Sequence, residues 1–174
     1  MTVAQYAWRV AVPSTSTFED FVAAHGGTLS GFALLIAGNP HDAQDALQEA
    51  LIGLYPKWQR VAERGDPLAY VRRSIINRHL SAHRKLRRLV ALDPSRTPTT
   101  DPIRTVDGKD WAIRLIGTLP DRQRIAVVLR VMEKREFAEI ADALGVTEAN
   151  ARKITSRGMA ALRARLAEEN QNVR

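Results

Sequence analysis

His41, Asp45 and Glu49 stand at i, i+4 and i+8, a spacing that lines an imidazole and two carboxylates along one face of a helix. Groups of these types can hold a divalent cation or shuttle protons. A metal centre needs more than this. No His-Glu-x-x-His pairing occurs, and His25, His79 and His83 have no carboxylate at matching spacing. The chain has no cysteine, which excludes thiolate ligands and a disulfide framework and fits the cytosol. Asp42 and Asp45 are favoured near a helix N-terminus by the helix dipole in any case. The expectation is no catalytic residue, no cofactor and no metal, with this acidic face better suited to contact a basic protein surface.

The basic residues carry a different chemistry. Phe137, Ile140, Ala141 and Leu144 form the inner face of a short helix. Ala151 and Ile154 do the same for the next helix, and Ala141 and Gly145 are small where the two must approach and the chain must turn. This is the pattern of a helix-turn-helix, whose second helix enters the major groove. On its outward side stand Arg152, Lys153, Ser156 and Arg157. Arginine and lysine can donate to guanine O6 and N7 or bind phosphates. The alternative is a helical hairpin with solvated charges.

A second basic face runs from Pro67 to Arg88, with Arg72, Arg73, Asn77, Arg78, Ser81, Arg84 and Lys85 on its polar side and no acid from Leu68 to Leu92. A solvated helix usually mixes signs for i,i+4 pairing, so one-sign charge favours an anionic partner. The whole chain carries a net charge of +7, unevenly distributed. Residues 11–56 hold no Lys or Arg and a net of −5, whereas residues 57–88 hold +8. Such asymmetry points to two partners, one of them nucleic acid.

The elements that must position these groups read as helices throughout. Thr17 can cap a helix to Ala24, broken by Gly26-Gly27, and a second spans about 29–37. A third runs from His41 or Asp42 to Trp58, with Pro56 predicting a kink or early end. A loop over 61–66 leads to Pro67 at a first-turn position of a helix reaching Leu92. Residues 93–110, with Pro94, Pro98 and Pro102, read as a flexible linker. Helices over 111–119, 120–132, 136–144 and 147–168 follow. The expected fold is all-α: a lead-in over 1–16, a helical domain over 17–92, the linker, and a helix-turn-helix domain over 111–174. The longest apolar run, Phe32–Ala37, is too short to span a membrane, and no secretory signal precedes it.

Taken in order, these motifs resemble a known family. The run Asn39–Trp58 resembles the core-binding helix in region two of extracytoplasmic-function (ECF) sigma factors of bacterial RNA polymerase. Pro67–Asn77 looks like the helix of that region which reads the minus-ten promoter element. Leu119-Pro-Asp-Arg-Gln-Arg124 and the helix-turn-helix are similar to region four, which reads the minus-thirty-five element. The resemblance covers about 17–88 and 111–166.

It implies that Asp45, Gln48 and Glu49 contact the beta-prime clamp helices of the polymerase core. It implies that Asn77, with Arg73, Arg78 and Arg84 on the same helix, sits at the minus-ten strand, where a base is flipped out. The loop 61–66 would help form that pocket, and the linker would thread along the polymerase channel. Arg152, Lys153, Ser156 and Arg157 match recognition-helix positions. Polymerase core and promoter DNA are the implied partners, an anti-sigma protein is a further one the family allows, and no small-molecule substrate is expected. Two features depart from the pattern. The recognition helix opens Thr147-Glu-Ala-Asn-Ala-Arg-Lys153, unlike many relatives, and Tyr70 is the only aromatic in 59–88. A helix-turn-helix regulator outside the polymerase is the competing reading. It would need a receiver or ligand domain, and residues 17–88 show no βα alternation.

Overall fold

The computed structural model describes residues 17–92 and 110–172, and every regular element among them is helical. The helices are α1 Phe18–Ala37, α2 Pro40–Leu54, α3 Trp58–Glu63, α4 Pro67–Leu92, α5 Asp110–Gly117, α6 Asp121–Val127, α7 Phe137–Leu144 and α8 Glu148–Asn172. A 3₁₀ turn, Tyr55–Lys57, joins α2 to α3, and α6 continues into a π-helical turn, Val128–Met132. The expected all-α fold is observed. The expected lead-in 1–16 and the linker lie outside the described residues, apart from Asp110, which opens α5.

Short polar side chains start the helices by satisfying amide groups that lack intrahelical partners. Thr17 and Asp20 form a reciprocal capping box at α1, with bonds of 3.0 and 3.1 Å. At α2 the Asp42 amide donates to Asn39 Oδ1 at 2.9 Å, and Pro40 occupies the first turn. Asp66 Oδ1 accepts from the Ala69 amide at 3.0 Å and starts α4, again with a proline inside the first turn.

Two sequence expectations need correction. Gly26 and Gly27 do not break α1, which is continuous to Ala37; neither has positive φ, and the stop is Gly38 at φ 76°. Continuity makes α1 long and apolar enough, by length and composition, to cross a membrane. Here its Phe21, Leu29, Phe32, Ala33, Ile36 and Ala37 are buried, and it packs on α2 and α4 as a core helix. Fully burying side chains such as Phe21, Leu29 and Ile36 contributes about 1.5–3 kcal/mol each, which outweighs the ~1 kcal/mol cost of each helical glycine. Half of the expected loop over 61–66 is helix: 61–63 end α3, with Val61 buried, and only 64–66 turn.

The two helical domains dock on one another. Buried residues from both, from Phe21 through Ile125, Ala126 and Ile140 to Ala151, form one continuous core, with α5 and α6 meeting α1 and α7 meeting α4. A smaller cluster of Leu115, Leu119, Val127 and Leu162 ties α5 and α6 to α8.

The crossing of α8 over α6 depends on Gly158. A Cβ there would lie 2.7 Å from Val127 Cγ2 and 3.2 Å from the Gln123 carbonyl oxygen. Val127 is buried and stiff at χ1, so it cannot yield cheaply. Gly158→Ala is expected to destabilise the chain by roughly 1–3 kcal/mol despite better helix propensity. Gly27→Ala, with nothing within 4 Å, should stabilise by about 0.5–1 kcal/mol. Urea unfolding of the two variants should therefore show shifts of opposite sign.

Candidate nucleic-acid and polymerase interfaces

The helix-turn-helix is built as its sequence requires. Glu136 and Glu139 cap α7 reciprocally, the Glu136 amide donating to Glu139 Oε2 at 2.9 Å. Gly145 takes the left-handed φ of 63° that the turn needs, and the Val146 amide donates to the Ala141 carbonyl at 3.0 Å. Thr147 Oγ1 then accepts from the Asn150 amide at 3.3 Å and starts α8. Ile140, Ala141, Leu144 and Ala151 are buried between the helices, as expected. Phe137 differs. It is only partly buried, and the guanidinium carbons of Arg130 and Arg152 lie 4.6 and 4.4 Å from its ring centroid.

Arg152, Lys153, Ser156 and Arg157 are all exposed on α8. Arg152 also bonds Glu148 Oε1 at 2.6 Å. An exposed ion pair and an exposed cation–π contact stabilise by less than about 1 kcal/mol each. Their effect is to hold the guanidinium in one direction near the start of the helix. Glu148 is thereby engaged by Arg152 within the same helix.

On α4, Arg73, Asn77, Arg78 and Arg84 are exposed, so the expected minus-ten set shares an accessible helix. Arg78 Nη1 donates to Glu49 Oε2 at 3.0 Å, and Arg84 folds back on the Leu80 carbonyl and Ser81 Oγ at 3.4 and 3.2 Å. Arg72 turns inward. It bonds Glu133 at 2.6 Å and lies 5.4 Å from the Phe32 ring centroid, a contact between the domains.

On α2, Asp45, Gln48 and Glu49 are exposed along one stripe, and Ile52 continues it at 71% exposure. Sequence reasoning missed Ile52. The signal was available, since an isoleucine three and four residues beyond Glu49 and Gln48 interrupts a polar face. His41 lies 3.8 Å from Asp45 with both side chains in solvent, while Glu49 turns to Arg78. These three residues do not form one site.

Among the described residues, a heavily bonded cluster lies at the domain joint. Arg124, 4% exposed, donates to the Ile36, Ala37 and Leu119 carbonyls at 2.8, 3.0 and 2.9 Å and to Asp121 Oδ1 at 2.6 Å. Its cation thus closes the C-terminal end of α1, where the helix dipole favours positive charge. Gly38 makes room, because a Cβ there would meet the guanidinium at 3.0 Å. On the other side of Asp121, His83 Nδ1 bonds Oδ2 at 2.7 Å and His79 Nε2 faces Oδ1 at 3.4 Å. Burial would raise the Asp121 carboxyl, but bonds from His79 and His83 and the Arg124 charge hold it far below the ordinary carboxylate range. His79, His83 and Asp121 bring ligand atoms within 4.8 Å of one another. The Arg124 guanidinium, 3.4 Å from His79 Nε2, already supplies the cation, so the cluster reads as a charged joint rather than a metal centre. Beside it a cavity of about 420 Å³ opens between α4 and the helix-turn-helix, lined by Asn77, Arg84, Arg122, Asp142 and Arg157 among others.

Residues 21–89 match the Sigma-70 region 2 family and residues 109–162 the Sigma-70, region 4 family. The RNA polymerase sigma-E factor of Streptomyces antibioticus is 30% identical over 152 residues, covering 86% of this chain and 84% of that one. The chain belongs to the sigma-70 family. Its two matched regions with a linker between them are of the ECF type, and sigma factors are initiation factors rather than enzymes. The sigma-E factor of Streptomyces coelicolor is similar over 159 residues at 29% identity, covering 90% of each chain. In fold, the chain resembles the sigma factor RpoE solved with the anti-sigma factor NepR from Bartonella quintana, with a TM-score of 0.68 at 19% identity over 86% of this chain and 96% of that one. It also resembles CnrH solved with the cytosolic domain of CnrY, with a TM-score of 0.53 at 21% identity, covering 89% of this chain and 92% of that one.

Proposed function

We propose that this sigma factor binds RNA polymerase core through α2 and selects promoters by reading the minus-ten element with α4 and the minus-thirty-five element with α8. The observation that carries the reading is the segregation of charge onto separate exposed faces. Asp45, Gln48 and Glu49 stand on α2, Arg73 and Asn77 on an α4 without acids, and Arg152, Lys153, Ser156 and Arg157 on α8. An acidic stripe beside exposed Ile52 suits a basic, partly apolar protein surface, and the two basic helices suit DNA. The factor then works in the cytosol with the polymerase. The relatives solved with NepR and CnrY support an anti-sigma protein as a further partner. A helix-turn-helix regulator outside the polymerase is disfavoured by the region 2 match over 21–89.

Run-off transcription with purified core tests the reading, and Asn77 supplies its sharpest arm. Asn77 is exposed, and its amide can both donate to and accept from an unstacked base. A residue that captures such a base matters most where unpairing must still be met. Asn77→Ala is expected to reduce initiation on duplex promoters by roughly three- to tenfold, with a smaller loss on templates mismatched across the minus-ten element. Equal losses on both templates would reduce Asn77 to a backbone contact.

A further inference from the structure

Guanidinium groups from three different helices converge on one concavity. Arg84 of α4, Arg122 of α6 and Arg157 of α8 line the cavity of about 420 Å³, and all three are exposed. None has an acidic partner among the described residues. Arg84 folds back on Leu80 and Ser81, while Arg122 and Arg157 make no hydrogen bond or ion pair there. We propose that this cavity is a binding site for a small phosphorylated ligand, a guanine nucleoside polyphosphate.

The charge of the walls is the first support. Like charges facing one concavity repel, and an anion seated among them relieves the repulsion. Two acids, Asp121 and Asp142, also line the cavity. Asp121 is already engaged, by Arg124 at 2.6 Å and by His83 Nδ1 at 2.7 Å, so it neutralises none of the three arginines. Three arginines less the one free carboxylate of Asp142 leave an excess of two positive charges. Guanidinium forks match phosphate oxygens bidentately, so a ligand with two or more phosphates can engage all three.

The uncharged wall is the second support. Leu80, Leu144 and Ile154 line the cavity where the continuous apolar core reaches it, Leu144 buried and the other two partly buried. An inorganic anion gains nothing from such a surface, whereas a flat heteroaromatic ring buries apolar area on it. The cavity volume lies within the roughly 300–1,000 Å³ of small-molecule sites. Asp142 supplies the remaining specificity. Its side chain is exposed and pairs with no described residue. An acid beside three arginines weakens phosphate binding, so its use lies at the other end of the ligand. The adjacent N1–H and N2–H donors of guanine match the two oxygens of a carboxylate, whereas adenine offers only its N6 amino group on that edge.

Titration calorimetry on the full chain at about 0.15 M salt tests the assignment, with GTP, ATP, guanosine and pyrophosphate as probes. GTP should bind with a Kd of about 100 μM or tighter, ahead of each of the other three. Arg122→Ala should weaken GTP at least about tenfold. Arg163→Ala removes the same charge from an exposed position of α8 outside the cavity and should change GTP affinity less than about twofold. Asp142→Asn should erase the preference for GTP over ATP and tighten pyrophosphate, a pair of changes that a merely structural Asp142 would not give. Arg122, Asp142 and Arg163 are all exposed, so these substitutions leave the core intact. Absence of saturable GTP binding below about 1 mM overturns the site. So does an Arg163→Ala loss equal to that of Arg122→Ala, which reduces binding to net charge. Pyrophosphate binding as tightly as GTP, or an unchanged GTP preference in Asp142→Asn, overturns the guanine nucleotide. Arg122 lies outside the faces assigned to DNA, and the probes need neither polymerase nor promoter, so failure here is distinct from failure of promoter reading.

Discussion

Charge reversal at Asp45 and Glu49 is expected to lower affinity for polymerase core by at least about 2 kcal/mol, roughly 30-fold. Both carboxylates are exposed on α2, one turn apart, and neither is needed to hold the helix. Asn39, Pro40 and Asp42 start it, while Ala43, Ala46, Ala50 and Leu54 anchor its other face. A loss of binding would therefore be a loss of contact. One complication is local, because Glu49 accepts from Arg78 at 3.0 Å. Lysine at position 49 would face that arginine as well as the partner. Glu49→Gln removes the charge without the repulsion and should retain most of the loss if the carboxylate itself touches core. Ile52→Ala tests the apolar end of the stripe and should weaken binding without changing its salt dependence. Competition against labelled parent chain for core measures all four substitutions. Unchanged affinity in the double reversal would remove α2 from the polymerase interface.

The elements legible in the sequence were those fixed by local chemistry. Thr17, Asp66-Pro67, Gly145 and Thr147 act through caps, a first-turn proline and a left-handed turn, and each stands where its residue type demands. Errors arose where packing overrode propensity, as at Gly26-Gly27, or where a short helix followed a proline, as at α3. The exposed basic set was legible because a one-sign face over 68–92 has few structural explanations. Its internal division was not. Arg72 is consumed by Glu133 and Arg78 by Glu49, leaving Arg73 and Asn77 without such partners among the described residues. The joint was invisible for a deeper reason. His79 and His83 pair with Asp121 some forty residues away, across a linker that carries no periodic signal. Nothing at either end of that pairing marks it locally.

On α8 the expected result is a division of labour between two arginines. Arg152 and Arg157 are five positions apart, about 140° around the helix, with Lys153 and Ser156 in the arc between them. Such an arc can bring one side chain to base edges while another meets a phosphate at the groove wall. Arg152 lies nearer the end that enters the groove first, and the Phe137 ring and Glu148 carboxylate hold it in a fixed direction. That preorganisation suits a base reader, since less side-chain freedom remains to be lost on binding. Arg157 is exposed one turn further along the helix and also lines the cavity beside α4. Arg152→Ala is therefore expected to cost roughly 1–3 kcal/mol on the preferred upstream element and to flatten discrimination at one base pair. Arg157→Ala should weaken all sequences alike and reduce the salt slope by about one unit. Glu148→Gln separates positioning from charge. If Glu148 only orients Arg152, its loss should blur sequence preference while general affinity for DNA rises slightly as an acid leaves the groove. The measurement is a salt-resolved titration of the three variants against a library of upstream elements. Should Arg152→Ala keep its sequence preference and merely lower the salt slope, the two arginines have exchanged roles.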